Sequence, residues 1–318
     1  MRTPSPLPED LLHRPFGVAE AARLGVGEGR LRGGDLARPF HGVRVHTGTG
    51  TGTSAATATA ATSTEARCRA KAVTMRDGHV FSHVTACLLF GVIVPARLRS
   101  DDVDVAVFVP KAIPRGRGVC GHRLAAGGTR TTAIRGLPVV AAADAWCQLA
   151  GSASVRELVI AGDSLVRRKQ PTCTMEELGE AVERHAGRRG HRRLVRALEL
   201  VRPSTDSPEE TSLRLDVMAY GLPEPQVNVP ILDERGVQVA LGDLAYRRYR
   251  VLLEYDGEHH RTDDRQFGRD IDRLDDLVHL GWRVFRFTRQ HRGDARRSRL
   301  ERVREALIER GWRPGDPA

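Results

Sequence analysis

The last third of the chain has the most regular pattern of apolar and polar positions. A helix is predicted to begin at Ser207, because a Ser cap, Pro208 at the first helical position and Glu210 three residues after the cap form a capping box. Gly221 is predicted to end this helix. Alternating apolar positions then predict three strands in succession, the last two joined by a tight turn.

A second helix is predicted over residues 264–280, followed by the strand WRVFRFT and a basic terminal helix. The predicted apolar stripe of this second helix contains Phe267, Ile271, Leu274 and Val278. The order α-β-β-β-α-β-α predicts an α+β domain over residues 206–318 of a multidomain chain.

Three carboxylates lie on the two middle strands of this domain. Because strand side chains alternate, Glu254 and Asp256 are predicted to share a face. A two-residue turn at 247–248 places Asp243 opposite Leu252 and diagonal to Glu254, within about 7–8 Å. Such carboxylates repel one another unless a cation lies between them. We therefore predict a site for Mg²⁺ or Mn²⁺ on these three acids, since hard cations prefer oxygen ligands.

The beginning of the chain has a different pattern. Within residues 1–47, VAEAARLG and GRLRGG are predicted to form two short helices, and LARPFHGVRVH a strand. This layout is typical of a winged helix, whose second helix reads the major groove of DNA, although a small structural cap fits equally well. Residues 48–66 are rich in Thr, Ala and Gly and are predicted to be a flexible linker.

The middle region, residues 67–205, is predicted to be mixed α/β and then helical. Short strands are expected at 103–109, 118–124 and 131–136, and four helices after them. For His83, a capping or core role is favoured over a ligand role. The region shows no catalytic constellation, so a bridging or recognition role is predicted.

Composition points to a nucleic-acid partner. The net charge is +10, and of the 50 basic residues only Lys71, Lys111 and Lys169 are lysines. Arginine forks match phosphate oxygens, so DNA is the expected partner. A GC-rich genome explains the excess of arginine over lysine but not the positive net charge.

Cysteine usage and hydropathy bear on the compartment. The five cysteines are scattered and contain no CxxC pair, which favours a reducing environment. No run approaches the length of a membrane span and no apolar signal core is present, so a soluble, cytoplasmic protein without a membrane partner is expected. The oligomeric state stays open.

Several ordered motifs carry a family resemblance. SPEETSLRL, PEPQVNV, GDLAYRRYRVLLEYDGEHH and LGWRVFRFT resemble the endonuclease-like domain related to very-short-patch repair (Vsr-like) nucleases, within the PD-(D/E)XK superfamily. The resemblance implies a restriction-endonuclease-like α-β-β-β-α-β core and Mg²⁺-dependent cleavage of DNA phosphodiester bonds. It also implies that Asp243 is the first metal-binding acid and Glu254 the acid of the (D/E)XK element.

The chain departs from that family at one catalytic position. A standard element has Lys at position 256, where this chain has Asp256, and no lysine follows Lys169. In the short-patch repair branch a histidine-containing region shares the work, so His260 is the expected acid or base, supported by His259. Glu210 is a candidate supporting acid, which its capping role explains equally well. The expected phosphate contacts are Arg261, Arg265, Arg269 and Arg273.

A second resemblance supports a different function. Residues 1–47, together with SHVTA, GLPVV and AGDSLVRR of the middle region, resemble AbiEi-like type IV antitoxins. That resemblance implies a DNA-binding transcriptional regulator whose nuclease fold has lost catalysis, for which the missing lysine also argues. RNA is a weaker third candidate, because aromatic residues that could stack on bases are few.

Overall fold

The computed structural model describes residues 5–47, 63–256 and 264–317, with side chains for 5–47, 63–256 and 272–317. It divides the chain into two compact units. The first contains Met1–Ser154 and Glu176–Val195, and the second contains Val155–Met175 and Arg196–Ala318. Most of the predicted linker lies outside the described residues. The predicted middle region contributes segments to both units.

The beginning of the first unit is a small three-stranded sheet beside one helix. Strands β1 (Phe16–Gly17), β3 (Val43–His46) and β2 (Leu36–Ala37) are antiparallel in that order, and helix α1 covers Val18–Arg23. The predicted second helix is a single 3-10 turn, Arg30–Arg32. Gly29 directly precedes this turn and Gly33 and Gly34 directly follow it, and glycine disfavours helix propagation.

A five-stranded sheet forms the larger part of the first unit, in the order β6-β5-β4-β8-β7. Strand β5 is parallel to β6, and β4 is parallel to β8, whereas the other two pairs are antiparallel. The three strands predicted in the middle region are confirmed as β5, β6 and β7. The strands are β4 (Val80–Phe81), β5 (Val103–Phe108), β6 (Val119–Leu124), β7 (Thr131–Ile134) and β8 (Leu137–Val140).

Helices accompany this sheet and continue along the chain into the second unit. Those before residue 201 are α2 (Thr64–Ala72), α3 (His83–Leu89), α4 (Ala142–Leu149), α5 (Val155–Leu165), α6 (Met175–Arg184) and α7 (His191–Leu200). Helix α5 belongs to the second unit, where it packs on α8 (Pro208–Ala219).

The second unit contains a four-stranded sheet in the order β12-β11-β10-β9. Strands β11 and β12 are parallel and the other pairs antiparallel. The elements after α8 are β9 (Gln226–Leu232), β10 (Gln238–Tyr246), β11 (Val251–Tyr255), α9 (Asp264–His279), β12 (Arg283–Phe287) and α10 (Asp294–Glu309). This is the predicted α-β-β-β-α-β-α order, and the chain as a whole is mixed α/β.

The two faces of this sheet pack against different helices. Leu244 and Leu253 pack on one face with residues of α8 and α10. Ala245 and Leu252 pack on the opposite face with Leu277 of α9. The apolar stripe predicted for α9 is wrong at Val278, which is 67% exposed, whereas the adjacent Leu277 is fully buried. One residue is a rotation of about 100° on a helix, enough to turn a side chain from core to solvent.

The turn between β10 and β11 is longer than predicted. Tyr246 pairs with Val251, and the residues between them form a 3-10 turn that ends at Arg250 in the left-handed region, with φ at 48°. Leu252 therefore pairs with Ala245, and the prediction that it lies opposite Asp243 is wrong. The predicted and observed turns both hold an even number of residues, so the register shift between them does not exchange the two faces of the hairpin.

Among the described residues, no helix combines the length and the apolar character needed to span a bilayer.

Candidate functional site

The β10–β11 hairpin brings two acids to the same place. Leu244 pairs with Leu253, so one step further Asp243 lies across from Glu254. Glu254 alternates with Leu253, which packs towards α8 and α10, and its carboxylate is paired with Arg273 of α9, so Glu254 projects from the face that α9 covers. An Oδ2 atom of Asp243 accepts a hydrogen bond of 2.8 Å from the backbone N–H of Tyr255, which anchors the carboxylate to the neighbouring strand.

Glu254 is paired with an arginine from α9. It is only 6% exposed, and Arg273 donates to its two carboxylate oxygens at 2.6 and 3.1 Å. Nε of Arg286, on β12, lies 3.8 Å from Oε2 of the same carboxylate. A bidentate guanidinium pair is among the strongest charge-assisted contacts that a carboxylate forms. Arg273 thus supplies the positive charge that the sequence led us to expect from a cation.

Glu210 has a structural task and an electrostatic one. Ser207 caps α8 by accepting from the Glu210 N–H at 3.1 Å. The buried Glu210 carboxylate accepts from the Ser207 hydroxyl at 2.9 Å, from the Asp206 N–H at 3.0 Å and from Nδ2 of Asn228 at 3.1 Å. The capping role predicted for Glu210 is confirmed. Its charge also acts on Asp243.

Asp243 is the acid whose titration differs most from its ordinary range. Burial, together with the negative charges of Glu210 and Glu254, raises the pKa of Asp243 to about 7, against the Tyr255 hydrogen bond and the charge of Arg273. An aspartate with a pKa near 7 exchanges its proton at neutral pH, which suits it to acid–base chemistry.

The three acids predicted to bind a metal have suitable ligand atoms, but the contacts they make suit a metal less well. Carboxylate oxygens are the donors that Mg²⁺ and Mn²⁺ take. However, both oxygens of Glu254 are engaged by Arg273. Within residues 5–47, 63–256 and 272–317, the one group of three potential ligands with all ligand atoms within 4.8 Å lies elsewhere. A cation on Asp243 and Glu254 therefore requires Arg273 to move.

Of the other predicted site residues, some are described by the structure and some are not. Asp256 follows β11, and its backbone N–H donates to the carbonyl of Phe287 at 2.7 Å. Arg273, predicted to contact phosphate, is paired with Glu254 instead. His259, His260 and Arg261 lie outside the described residues, and the side chains of Arg265 and Arg269 on α9 are not among those described.

A second polar cluster, which the sequence reasoning missed, lies on the five-stranded sheet of the first unit. It consists of Asp104, Cys120 and His122, whose ligand atoms all lie within 4.8 Å of one another. The signal in the sequence was the spacing Cys120-x-His122 within a predicted strand, which places the thiol and the imidazole on one face. Asp104 joins them only through the pairing of β5 with β6.

Comparisons with known proteins give local similarity. No family model matches the chain. Uncharacterized protein MT2308 of Mycobacterium tuberculosis strain CDC 1551 / Oshkosh and uncharacterized protein Rv2248 of strain ATCC 25618 / H37Rv are each 31% identical over 116 residues. The match covers 35% of this chain and 41% of each relative's length. The names of these relatives describe no activity, so function has to be argued from the site.

Proposed function

We propose that residues 206–318 form a Vsr-like nuclease domain of the PD-(D/E)XK type, which hydrolyses DNA phosphodiester bonds with Mg²⁺ or Mn²⁺. The proposal is supported by the mixed four-stranded sheet, in which α8 precedes the antiparallel strands and α9 links the parallel pair β11 and β12. One observation carries it: Asp243 and Glu254 lie on neighbouring strands, one step beyond the pair Leu244–Leu253, and burial with the nearby negative charges raises the pKa of Asp243 to about 7.

Each residue of the site has a task in such a reaction. Asp243, protonated and ionised in comparable amounts near neutral pH, can take a proton from an attacking water or hold a cation. The cation would neutralise charge on the phosphoryl oxygens and acidify a bound water. A DNA phosphate offers Arg273 an alternative partner. If Arg273 leaves Glu254 and binds the phosphate, the Glu254 carboxylate becomes available to hold the cation. His260 and Asp256 complete the proposed set.

The decisive experiment is a cleavage assay on the full chain. Supercoiled plasmid, single-stranded DNA, matched duplex and mismatched duplex are each incubated with Mg²⁺, Mn²⁺ or EDTA. We expect metal-dependent nicking or cutting, reduced at least about 100-fold by Asp243→Asn, which keeps an acceptor for the Tyr255 N–H but removes the charge. Asp275→Asn, an exposed acid on α9, is the matched control and leaves the rate unchanged.

Two results would count against the nuclease. Cleavage that persists in Asp243→Asn excludes this site. A lack of cleavage on all four substrates, with the protein folded, excludes the activity and favours the second candidate.

The second candidate is a DNA-binding regulator with an inactive nuclease fold. It is favoured by the bidentate pair of Arg273 with Glu254, which occupies an acid that catalysis needs, and by the absence of any lysine after Lys169. A cleft of about 1050 Å³ beside α1 offers a surface for phosphates. Its basic lining residues include Arg23, Arg38, Arg44 and Arg117.

DNA binding in EDTA tests the regulator. The full chain is expected to bind the DNA upstream of its own gene more tightly than unrelated duplex. The double variant Arg38→Glu with Arg117→Glu weakens binding and lowers the salt slope by about 2, because two phosphate contacts are lost. Arg196→Glu, an exposed arginine outside the cleft, is the control. Equal affinity for unrelated duplex would contradict the regulator.

A further inference from the structure

Three side chains of different ligand chemistry meet on the edge pair of strands of the five-stranded sheet. Strands β5 and β6 are parallel, with Asp104 paired to Cys120 and Ala106 to His122. Because Cys120 and His122 are two residues apart on one strand, they project from the same face. The carboxylate, the thiol and the imidazole have their ligand atoms within 4.8 Å of one another.

The carboxylate of Asp104 is held in one orientation. Its Oδ2 accepts from both the backbone N–H and the hydroxyl of Thr85, each at 3.1 Å, and Thr85 is buried on α3. Its Oδ1 lies 2.8 Å from Nε2 of His122. Hydrogen bonds of this kind, made by residues behind the ligands, orient the ligands of protein metal sites. One oxygen is thus anchored and the other is presented to the cluster.

The imidazole of His122 is also fixed. It stacks on the ring of His83, with centroids 3.6 Å apart and planes 18° apart. His83 is itself held by its backbone N–H, which donates to Oε1 of Gln148 at 2.7 Å. The stacking and this hydrogen bond together hold the plane of the His122 ring beside the carboxylate.

The cluster is open to solvent on one side. Cys120 is exposed, and a cavity of about 220 Å³ is lined by Cys120 and Asp104. A metal ion can therefore enter, and a solvent molecule has room beside it. The other four cysteines of the chain are buried.

We propose that Asp104, Cys120 and His122 bind one Zn²⁺, with the fourth position left to solvent. Thiolate and imidazole ligands select zinc over magnesium or calcium, and three protein ligands with one open position are typical of zinc sites that carry a water. Zinc–ligand bonds of about 2.0–2.3 Å place the ligand atoms about 3–4 Å apart, a spacing that the cluster already approaches. The site lies in the first unit and does not depend on the proposed nuclease.

A nucleophilic cysteine served by a His–Asp pair is the competing assignment. In that arrangement the imidazole lies between the nucleophile and the carboxylate. Here the carboxylate of Asp104 has an oxygen within 4.8 Å of the Cys120 sulfur as well as of the His122 ring nitrogen, so all three groups converge as the ligands of a metal ion do.

Cobalt binding tests the site, because a thiolate bound to Co²⁺ gives a charge-transfer absorption that nitrogen and oxygen ligands do not. The full chain, stripped with a chelator, is titrated with Co²⁺ and then with Zn²⁺. We expect one Co²⁺ per chain with this absorption, displaced by one equivalent of Zn²⁺. Cys120→Ser abolishes the absorption, and His122→Ala or Asp104→Asn weakens binding at least tenfold. The controls Cys173→Ser and His13→Ala leave both unchanged.

The thermal unfolding of every variant is measured without metal, so that loss of folding is separated from loss of a ligand. Absorption that survives in Cys120→Ser would overturn the proposal, as would wild-type affinity in folded His122→Ala. A wild-type protein that takes up no Co²⁺ with a charge-transfer band would overturn it as well. None of these readouts involves DNA cleavage, so they are independent of the nuclease proposal.

Discussion

Two buried carboxylate–arginine arrangements in the second unit have opposite characters. Asp163 on α5 accepts from the Arg202 N–H at 2.8 Å, from the Thr211 hydroxyl at 2.8 Å and from Nη2 of Arg214 at 3.0 Å. Arg214 is fully buried and also binds Glu224 at 2.6 Å. These contacts tie α5 and α8 together, although Nε of Arg214 is buried without a partner among the described residues.

The hairpin site has fewer such partners. Among the described residues, Asp243 accepts one hydrogen bond, from a backbone N–H, and its charged neighbours are Glu210, Glu254 and Arg273. Burial raises the pKa of both Asp163 and Asp243, and at Asp243 the charges of two other carboxylates add to the shift. A buried acid that is crowded by like charges stores unfavourable energy that function can use.

The largest expected effect is at the paired network. Arg214→Met leaves the buried Asp163 without its guanidinium, while Glu224 keeps that of Arg202. We expect a loss of about 3–5 kcal/mol in the free energy of unfolding of the second unit. Urea unfolding followed by circular dichroism measures it. Arg196→Met, which breaks an exposed pair with Glu199, is the control and costs about 0.5 kcal/mol or less. Equal losses in the two variants would remove the distinction between this network and the surface.

At Asp243 we expect a substitution to increase the free energy of unfolding rather than to lower it. The folded pKa of Asp243, about 7, lies above its unfolded value of about 3.9, so the native state binds more protons between these values and wild-type stability falls as pH rises through them. Asp243→Asn lacks this penalty. We expect its free energy of unfolding to match that of the wild type near pH 4 and to exceed it by about 4 kcal/mol at pH 8, because each unit of pKa shift corresponds to about 1.4 kcal/mol.

Urea midpoints at several pH values provide the measurement for Asp243→Asn, with Asp275→Asn as the exposed control. A difference from the wild type that does not change with pH would mean that Asp243 ionises normally.

The smallest expected effect is that of Glu210→Gln, which separates the capping role of Glu210 from its electrostatic effect on Asp243. Glu210→Gln keeps a capping-box side chain, so stability should change by no more than about 0.5 kcal/mol. It removes the negative charge of Glu210, which raises the pKa of Asp243, so that pKa should fall. A carbon-13 titration of the Asp243 carboxyl group reads it directly. Glu209→Gln, its exposed neighbour in the same turn, should leave it unshifted.

Local signals predicted the second unit well. The capping box at Ser207, the strand after Pro225 and the helix that ends before Gly221 were all confirmed, because caps, prolines and glycines act on neighbouring backbone atoms. The length of the hairpin turn was predicted wrongly because its left-handed residue is Arg250. A glycine at this position would have indicated a left-handed backbone, whereas an arginine does not. The error moved the register by an even number of residues, and only an odd shift exchanges the faces of a strand.

Contacts between residues far apart in the sequence could not be predicted from local patterns. Arg273 follows Glu254 by 19 positions, and their pairing depends on how α9 packs on the sheet. The cluster at Asp104 needed the parallel register of β5 and β6, which a sequence without strong pairing motifs leaves open.

In the second unit the sequence by itself determined which segments form helices and strands and which strands carry the acids, because periodicity and capping are properties of neighbouring residues. Tertiary structure decided the charge environment of those acids. It placed Arg273 on Glu254, left Asp243 among like charges, and brought Asp104 to Cys120 and His122. Electrostatic energy depends on distance through space and on burial, and both are set only when the elements pack.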